Sequence, residues 1–478
     1  MKDLTPIELA VVAAALVAAT VFWALVPTYP ALDSYYALVW GREGFGGHTP
    51  SFDGYRAPTH HPLWVLVAGL LSLAGGDADR LLVLVALWCL VLFLWGMYRL
   101  GTGQFGPWVG VVSALFAASS FAFLLYAVRA FVDVPFLAAV VWAGALGVGL
   151  WALGAGPRRS ALPAMALLAV AGLLRPEAWI LAALWWLWTF RDSRHRLALT
   201  ALALAGPVLW LASDLVITGD ALFSFHRTSA LADELRHTGG AAQVPGALIS
   251  YVAGTIRAPI ALLGLVGVGL AWWRHGPRRI AVPLALLLAG SLTFVFAGLA
   301  GFSLIQRYLT VPAAALCLFG GYALVGFTTL PRDDRLRRPW TRAAAVVGAL
   351  GVAAAIVLAA TSVGRVRTEL RFVRQSHDDL VAILRAPAVR AGRRCGPIVL
   401  PTDRLVPDTR WILDAPRRSV LARTAPRRPP DGVELFVSGA RALDRFGFAA
   451  GIPASTNLPS PGYRPVARNR TFDAWLRC

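Results

Sequence analysis

Long apolar runs recur along this chain, and no soluble fold has room to bury them. They are Ile7–Pro27, Arg80–Leu100, Pro107–Ala127, Pro135–Leu153, Leu197–Ile217, Ala258–Trp273, Ile280–Ala300, Leu309–Thr329 and Ala343–Val363. Most match the roughly 20 residues that an α-helix needs to cross about 30 Å of hydrocarbon. Composition agrees. Of 478 residues, 57% are hydrophobic and only 15% charged, with a mean hydropathy of +0.61. Ordinary domains are about 25% charged. A membrane β-barrel would show alternation over roughly ten residues instead of unbroken runs. The expected fold class is therefore an all-α polytopic membrane protein.

The formal net charge is +19. A basic balance can mean nucleic acid, but here most loop arginines sit in short connections between apolar runs. These are Arg158–Arg159, Arg191–Arg196, Arg274–Arg279 and Arg332–Arg342, with Arg99 ending one run. That is the positive-inside pattern, so no nucleic-acid partner is expected. With Lys2 ahead of the first run, the N-terminus reads as cytoplasmic and the run as an uncut anchor, a cleaved signal peptide being the alternative. Counting the shorter runs Leu162–Leu174 and Ala178–Phe190 leads to about eleven spans, with the C-terminus extracytoplasmic. The localisation expected is a bacterial plasma membrane.

Polar clusters gather on the outer side of this topology. The stretch Thr28–Trp64 carries Asp33, Arg56, His60 and His61, within an external loop set at 28–79. The segment His61–Ala74 is short for a span and reads as an interfacial helix. A turn with Arg129 and Asp133 follows. Asp133 either orients a ligand or pairs with Arg129 four residues before it. Arg175-Pro176-Glu177 joins two short runs, which suggests half-depth helices meeting at a charged cavity, or else an ordinary surface turn. Thr218–Gly254 reads as a long polar loop with Asp220, His226 and His237. Arg307 and Tyr308 stand just before the Leu309–Thr329 run.

The domain reading is a membrane domain over 1–363 and an external soluble domain over 364–478. The latter has many prolines and short apolar runs, and is expected to be a small α/β unit. From Arg365 onward it holds 21 arginines against 10 acids. This favours an anionic partner such as lipid headgroups, polyprenyl phosphate or an acidic glycan. A solvated basic surface is the plainer account. Cys395 and Cys478 both fall in this region, and an oxidising compartment predicts a disulfide between them, with two free thiols as the alternative. Cys89 and Cys317 lie inside apolar runs and read as core residues. No phosphate-binding loop, dinucleotide fingerprint or zinc pattern is present.

The order of these elements resembles the GT-C superfamily of integral-membrane glycosyltransferases. These include protein O-mannosyltransferases, aminoarabinose transferases of lipid A, and actinobacterial arabinosyl- and mannosyltransferases. The resemblance covers roughly residues 7–330. It rests on Asp33 in LDSYYA, the THHPLW segment, Asp133-Val134-Pro135, Arg175–Glu177 and Arg307–Pro312. It implies transfer of a sugar from a polyprenyl-phosphate donor to a cell-envelope acceptor, with inversion. Asp33 would be the catalytic base. Arg175 and Arg307, with Arg56 and Arg129 behind them, would hold the phosphate, since a guanidinium forks onto its oxygens. His60, His61, Asp133, Glu177 and Tyr308 complete the expected substrate-binding set, although the two histidines also suit a helix cap. Leu32 stands where many members carry a second acid, and a single carboxylate is a poor site for a divalent ion. No cofactor is therefore assigned, a divalent metal being the alternative that lacks a paired-acid motif. The alternative is a polytopic transporter or flippase of lipid-linked sugars. It would show charges at mid-bilayer and inverted repeats, and no such repeats are found in the sequence.

Overall fold

The computed structural model describes residues 5–152, 161–234, 241–426, 429–446 and 454–478. Lys2, Arg158, Arg159 and His237 lie outside the described residues. The chain is mostly helical. In order the helices are α1 (Pro6–Leu25), α2 (Leu32–Phe45), α3 (Pro62–Ser72), α4 (Ala78–Gln104), α5 (Pro107–Ala118), α6 (Phe121–Val128) and α7 (Asp133–Ala152). Then come α8 (Ala161–Leu174), α9 (Ala178–Thr189), α10 (Arg196–Thr218), α11 (Phe223–Glu234), α12 (Val244–Ile256), α13 (Ala258–His275) and α14 (Ala281–Leu299). The last are α15 (Thr310–Val325), α16 (Arg337–Leu384), α17 (Pro387–Gly392), α18 (Val406–Leu413) and α19 (Ala440–Arg445).

Among the described residues, five helical segments are long and apolar enough to cross a membrane, or seven if each of two bent pairs is one span. The pair α5–α6 bends by 64° and α12–α13 by 107°. The single apolar run Pro107–Ala127 is thus broken at Ser119–Ser120. The Ser120 hydroxyl closes that break by donating to the Thr255 carbonyl at 2.7 Å. The stretch Thr218–Gly254, which reads as a loop, contains α11 and most of α12. Its polar residues had hidden a helical pattern.

The chain divides into two compact units. The first comprises Met1–Leu25, His61–Trp64 and Leu84–Val366; the second comprises Val26–His60, Val65–Val83 and Arg367–Cys478. In the first unit α15 is the central helix, buried from Thr310 to Ala323. It is packed by α13, α5 and α14. Helices come this close only where side chains are small. A Cβ at Gly267 of α13 would lie 1.9 Å from the Phe319 carbonyl oxygen.

The second unit is built on a five-stranded sheet in the order β2-β1-β3-β5-β4. The strands are β1 (Ile398–Leu400), β2 (Val420–Ala422), β3 (Gly432–Val437), β4 (Arg464–Arg468) and β5 (Phe472–Arg477). Strands β2, β1 and β3 run parallel, while β5 and β4 add antiparallel pairs. β3 is buried throughout, as a strand covered on both faces must be. In β5 Phe472, Ala474 and Leu476 face inward and alternate with Asp473, Trp475 and Arg477, the period-2 pattern of a half-covered strand. The end of α16 closes the core with Leu380, Ile383 and Leu384. Cys395 and Cys478 form a disulfide with their Cα atoms 5.3 Å apart. The same unit takes in the segment 26–60, where α2 crosses α3 with no side chain between them. A Cβ at Gly41 would lie 2.4 Å from the Gly69 nitrogen.

Candidate functional site

In the first unit three separate apolar segments deliver charges to one point. Asp133 opens α7, with Pro135 fixing the φ of the same first turn. Arg175 and Glu177 lie in the tight turn between α8 and α9, which closes through the Trp179 amide donating to the Pro176 carbonyl at 2.9 Å. Arg307 and Tyr308 sit in the short turn Gln306–Leu309 leading into α15. There the Thr310 hydroxyl donates to the Arg307 carbonyl at 3.0 Å.

Asp133 has no exposed surface, and both of its carboxylate oxygens are engaged. One takes a close ion pair from Arg175, and the other a longer one from Arg307 at 3.4 Å. Arg175 also clasps Glu177, with Nη2 at 2.5 Å and Nε at 3.1 Å from the same oxygen. Its guanidinium lies 5.4 Å from the Tyr308 ring and 5.5 Å from the Phe136 ring. Arg307 stands 4.9 Å over Phe131. Two cations and two carboxylates balance, which is how a buried charge cluster avoids a prohibitive desolvation cost. The two arginines are not equivalent. The Arg175 side chain is 6% exposed and held by both acids, whereas that of Arg307 is 26% exposed and reaches Asp133 at a longer distance. Arg307 is thus the more open of the two cations and Arg175 the more enclosed. Arg129, the residue ending α6, belongs to the same unit, and Ala130 after it takes a left-handed φ of 54°. His61, also in this unit, meets the Trp210 ring edge-on at 5.9 Å.

The other residues of interest belong to the second unit. Asp33 lies in the first turn of α2, two residues after the cap residue Ala31, and is half-buried. Arg56 adopts a left-handed φ of 50° and pairs with Asp403 at 3.6 Å. Burial raises the Asp403 carboxyl above its ordinary range against the pull of Arg56. His60 is buried and stacked on Phe52 at 4.0 Å. Asp33 and the Asp133 cluster thus fall in different units of the chain.

Several polar groups of this unit carry no motif in the sequence. Arg410 of α18 is buried and binds Glu43 of α2, while its Nη1 donates to the Ser51 hydroxyl at 3.0 Å. Arg42 donates to the Arg410 and Trp411 carbonyls at 3.0 and 3.1 Å. The Tyr35 hydroxyl meets Asp79 at 3.1 Å and His377 at 3.2 Å, and Tyr29 stacks on His377 at 3.5 Å. The partners in these sets are more than 300 residues apart, except for Tyr35 with Asp79, so spacing offers no signal. Only the three tyrosines of the 29–43 stretch, Tyr29, Tyr35 and Tyr36, hint at them.

Among the described residues no group of three or more His, Cys, Asp or Glu side chains could hold a metal ion. No protein-family model matches the chain, and no curated protein matches it.

Proposed function

We propose that this protein is a membrane glycosyltransferase. It moves a sugar from a polyprenyl-phosphate donor to a cell-envelope acceptor on the extracytoplasmic face, with inversion at the anomeric carbon. The convergence of Asp133, Arg175 and Arg307 carries the reading. Charges within apolar helical segments are costly and persist where they serve a ligand or an ion path. Arg307 supplies a partly exposed fork for the donor phosphate, and Arg175, clamped between Asp133 and Glu177, sets its position. Asp33 is assigned the role of base that takes the acceptor hydroxyl proton. The same reading places about eleven spans in the membrane, N-terminus cytoplasmic and C-terminus outside. Those spans are α1, α4, the two bent pairs, α7 to α10 and α14 to α16.

The deciding experiment uses the purified full chain in nanodiscs with a radiolabelled polyprenyl-phosphate sugar and envelope extract as acceptor. Label should appear in the acceptor, and the Arg307→Ala variant should lose donor binding. Donor that remains untouched, or transfer unaffected by Arg307→Ala, would overturn the reading.

One observation favours the second reading, a transporter or flippase. Two bent helix pairs meet through the Ser120–Thr255 hydrogen bond, and interrupted helices line many transport sites. Movement of a fluorescent lipid-linked sugar across sealed vesicles without any acceptor would select it.

A further inference from the structure

α17 lies against the sheet of the second unit, and its outward side is basic. Val389 and Gly392 are buried, and a Cβ at Gly392 would lie 2.4 Å from Leu476 Cδ1 of β5. The outward side carries Arg390, followed by Arg393 and Arg394, all exposed. The Arg393 amide donates to the Val389 carbonyl at 3.2 Å and the Arg394 amide to the Ala391 carbonyl at 3.1 Å, so the turn runs on past Gly392. In a helical turn these three positions share an arc of about 100°. Arg385, also exposed, stands just before the corner at Ala386 from which α17 starts. On β4, Arg464 is exposed and is the cross-strand partner of Leu476, so it leaves the sheet on the side that α17 covers.

Many arginines of this unit are answered by acids. Arg410 binds Glu43, Arg445 binds Glu369, Arg423 lies 3.0 Å from Glu434 and Arg477 3.1 Å from Asp431. Arg385, Arg390, Arg393, Arg394 and Arg464 have no such partner among the described residues. No acid stands between Asp379 and Asp403 in the sequence. Like charges gathered this closely repel, and an anionic partner relieves that cost.

We propose that Arg385, Arg390, Arg393, Arg394 and Arg464 form a docking surface for an acidic polysaccharide, a polymer carrying carboxylates along its length. Three observations select this occupant. The arginines are laid out along a turn and a neighbouring strand, a spread that suits a repeating polyanion, whereas a single phosphate is gripped by convergent forks. No large apolar side chain is exposed from Leu380 to Gly396, and basic surfaces that enter a bilayer interleave their cations with exposed Trp, Phe or Leu. The Cys395–Cys478 disulfide borders Arg394, and both cysteines are exposed; disulfides persist in oxidising compartments, away from nucleic acid. The inference rests on that compartment and on the second unit alone, not on sugar transfer.

The test uses the purified full chain in phosphatidylcholine nanodiscs and a fluorescein-labelled oligogalacturonate, with binding read by fluorescence anisotropy. Wild type should bind it, more weakly as salt rises, and should not bind labelled neutral dextran. An exposed ion pair is worth up to about fivefold in binding, so Arg390→Gln/Arg393→Gln/Arg394→Gln should weaken it by at least about tenfold. If the triple variant does not fold, Arg394→Gln alone should show a loss of about two- to fivefold. Arg418, also exposed, precedes β2 at the sheet edge opposite β4, more than a screening length away, so Arg418→Gln should stay within about twofold. No binding by wild type, unchanged binding in the α17 variants, or a loss in Arg418→Gln as large as in the triple variant would overturn the proposal. So would tighter binding to phosphatidylglycerol vesicles or to a DNA duplex than to the oligogalacturonate.

Discussion

Asp133 and Arg175 show how a residue's role is set by what reaches it. Asp133 opens a helix four residues after Arg129, a spacing that by itself suggests a local pair, yet its carboxylate receives Arg175 and Arg307 from far along the chain. Removing it would take away one of the two carboxylates that balance Arg175 and Arg307, leaving Glu177 to face both cations' charge. Asp133→Ala is therefore expected to cost about 3–5 kcal/mol of stability, the usual penalty for a buried charge left uncompensated. Thermal unfolding in detergent would measure this, and a change of under about 1 kcal/mol would mean that the pairs are weak. Asp33 and Arg307 separate chemistry from binding. Asp33→Asn should reduce transfer by about 10²–10⁴-fold with donor affinity kept, because an amide holds the shape but accepts no proton. Arg307→Ala should weaken donor binding as well, since phosphate is contacted in the ground and transition states alike. Single-turnover assays beside donor-binding isotherms distinguish the two. Asp33→Asn activity within about threefold of wild type would remove Asp33 as the base.

At the scale of elements, close helix crossings and a disulfide organise the second unit. α2 and α3 touch backbone to backbone at Gly41 and Gly69, where any side chain would overlap main chain. Gly41→Val should destabilise this unit by about 3 kcal/mol or more. Gly76→Ala, where an added methyl meets nothing within 4 Å, should stay within about 0.5 kcal/mol. Denaturant titration followed by tryptophan fluorescence compares them, and equal midpoints would deny the tight crossing. The Cys395–Cys478 bond ties the chain just after α17 to the end of β5 across a sequence separation of 83. Closing such a loop contributes on the order of 4 kcal/mol. The Cys395→Ser/Cys478→Ser variant should lose about that much from the second unit, read by proteolytic release of its fragments, while α15 stays protected.

On the scale of the whole molecule, the chain divides between a helical unit organised on α15 and a mixed unit that gathers the segment 26–60 together with residues 367–478. The polar stretch around Asp33 is therefore not a free loop. Glu43 and Arg42 tie α2 to α18, so the loop and the sheet domain fold as one body. The proposed topology makes a direct prediction. Phosphatase and fluorescent-protein reporters fused after Arg194 and after Cys478 should give opposite signals, and the same signal from both would break the count of spans.

Hydropathy alone established that the chain is mostly helical and that most helix positions follow the apolar runs, and the short apolar runs of the C-terminal part pointed to the small sheet found there. Those are local properties, set by burial length and period. It also picked out Asp133, Arg175, Glu177, Arg307 and Tyr308, because charges beside apolar runs stand out one by one. What it could not supply was their convergence, since ion pairs such as Asp133 with Arg307 join residues 174 positions apart. The break within Pro107–Ala127 escaped notice for a related reason. Ser119 and Ser120 are too small to interrupt an apolar pattern, and the bend is held by a hydrogen bond to Thr255 on another helix. The merging of 26–60 with the C-terminal sheet likewise depends on Arg410, Asp403 and His377, whose partners lie hundreds of residues away. Sequence determines which segments are apolar and which charges are costly. Only the tertiary structure decides which charges meet, because that choice is made by packing between segments and not within them.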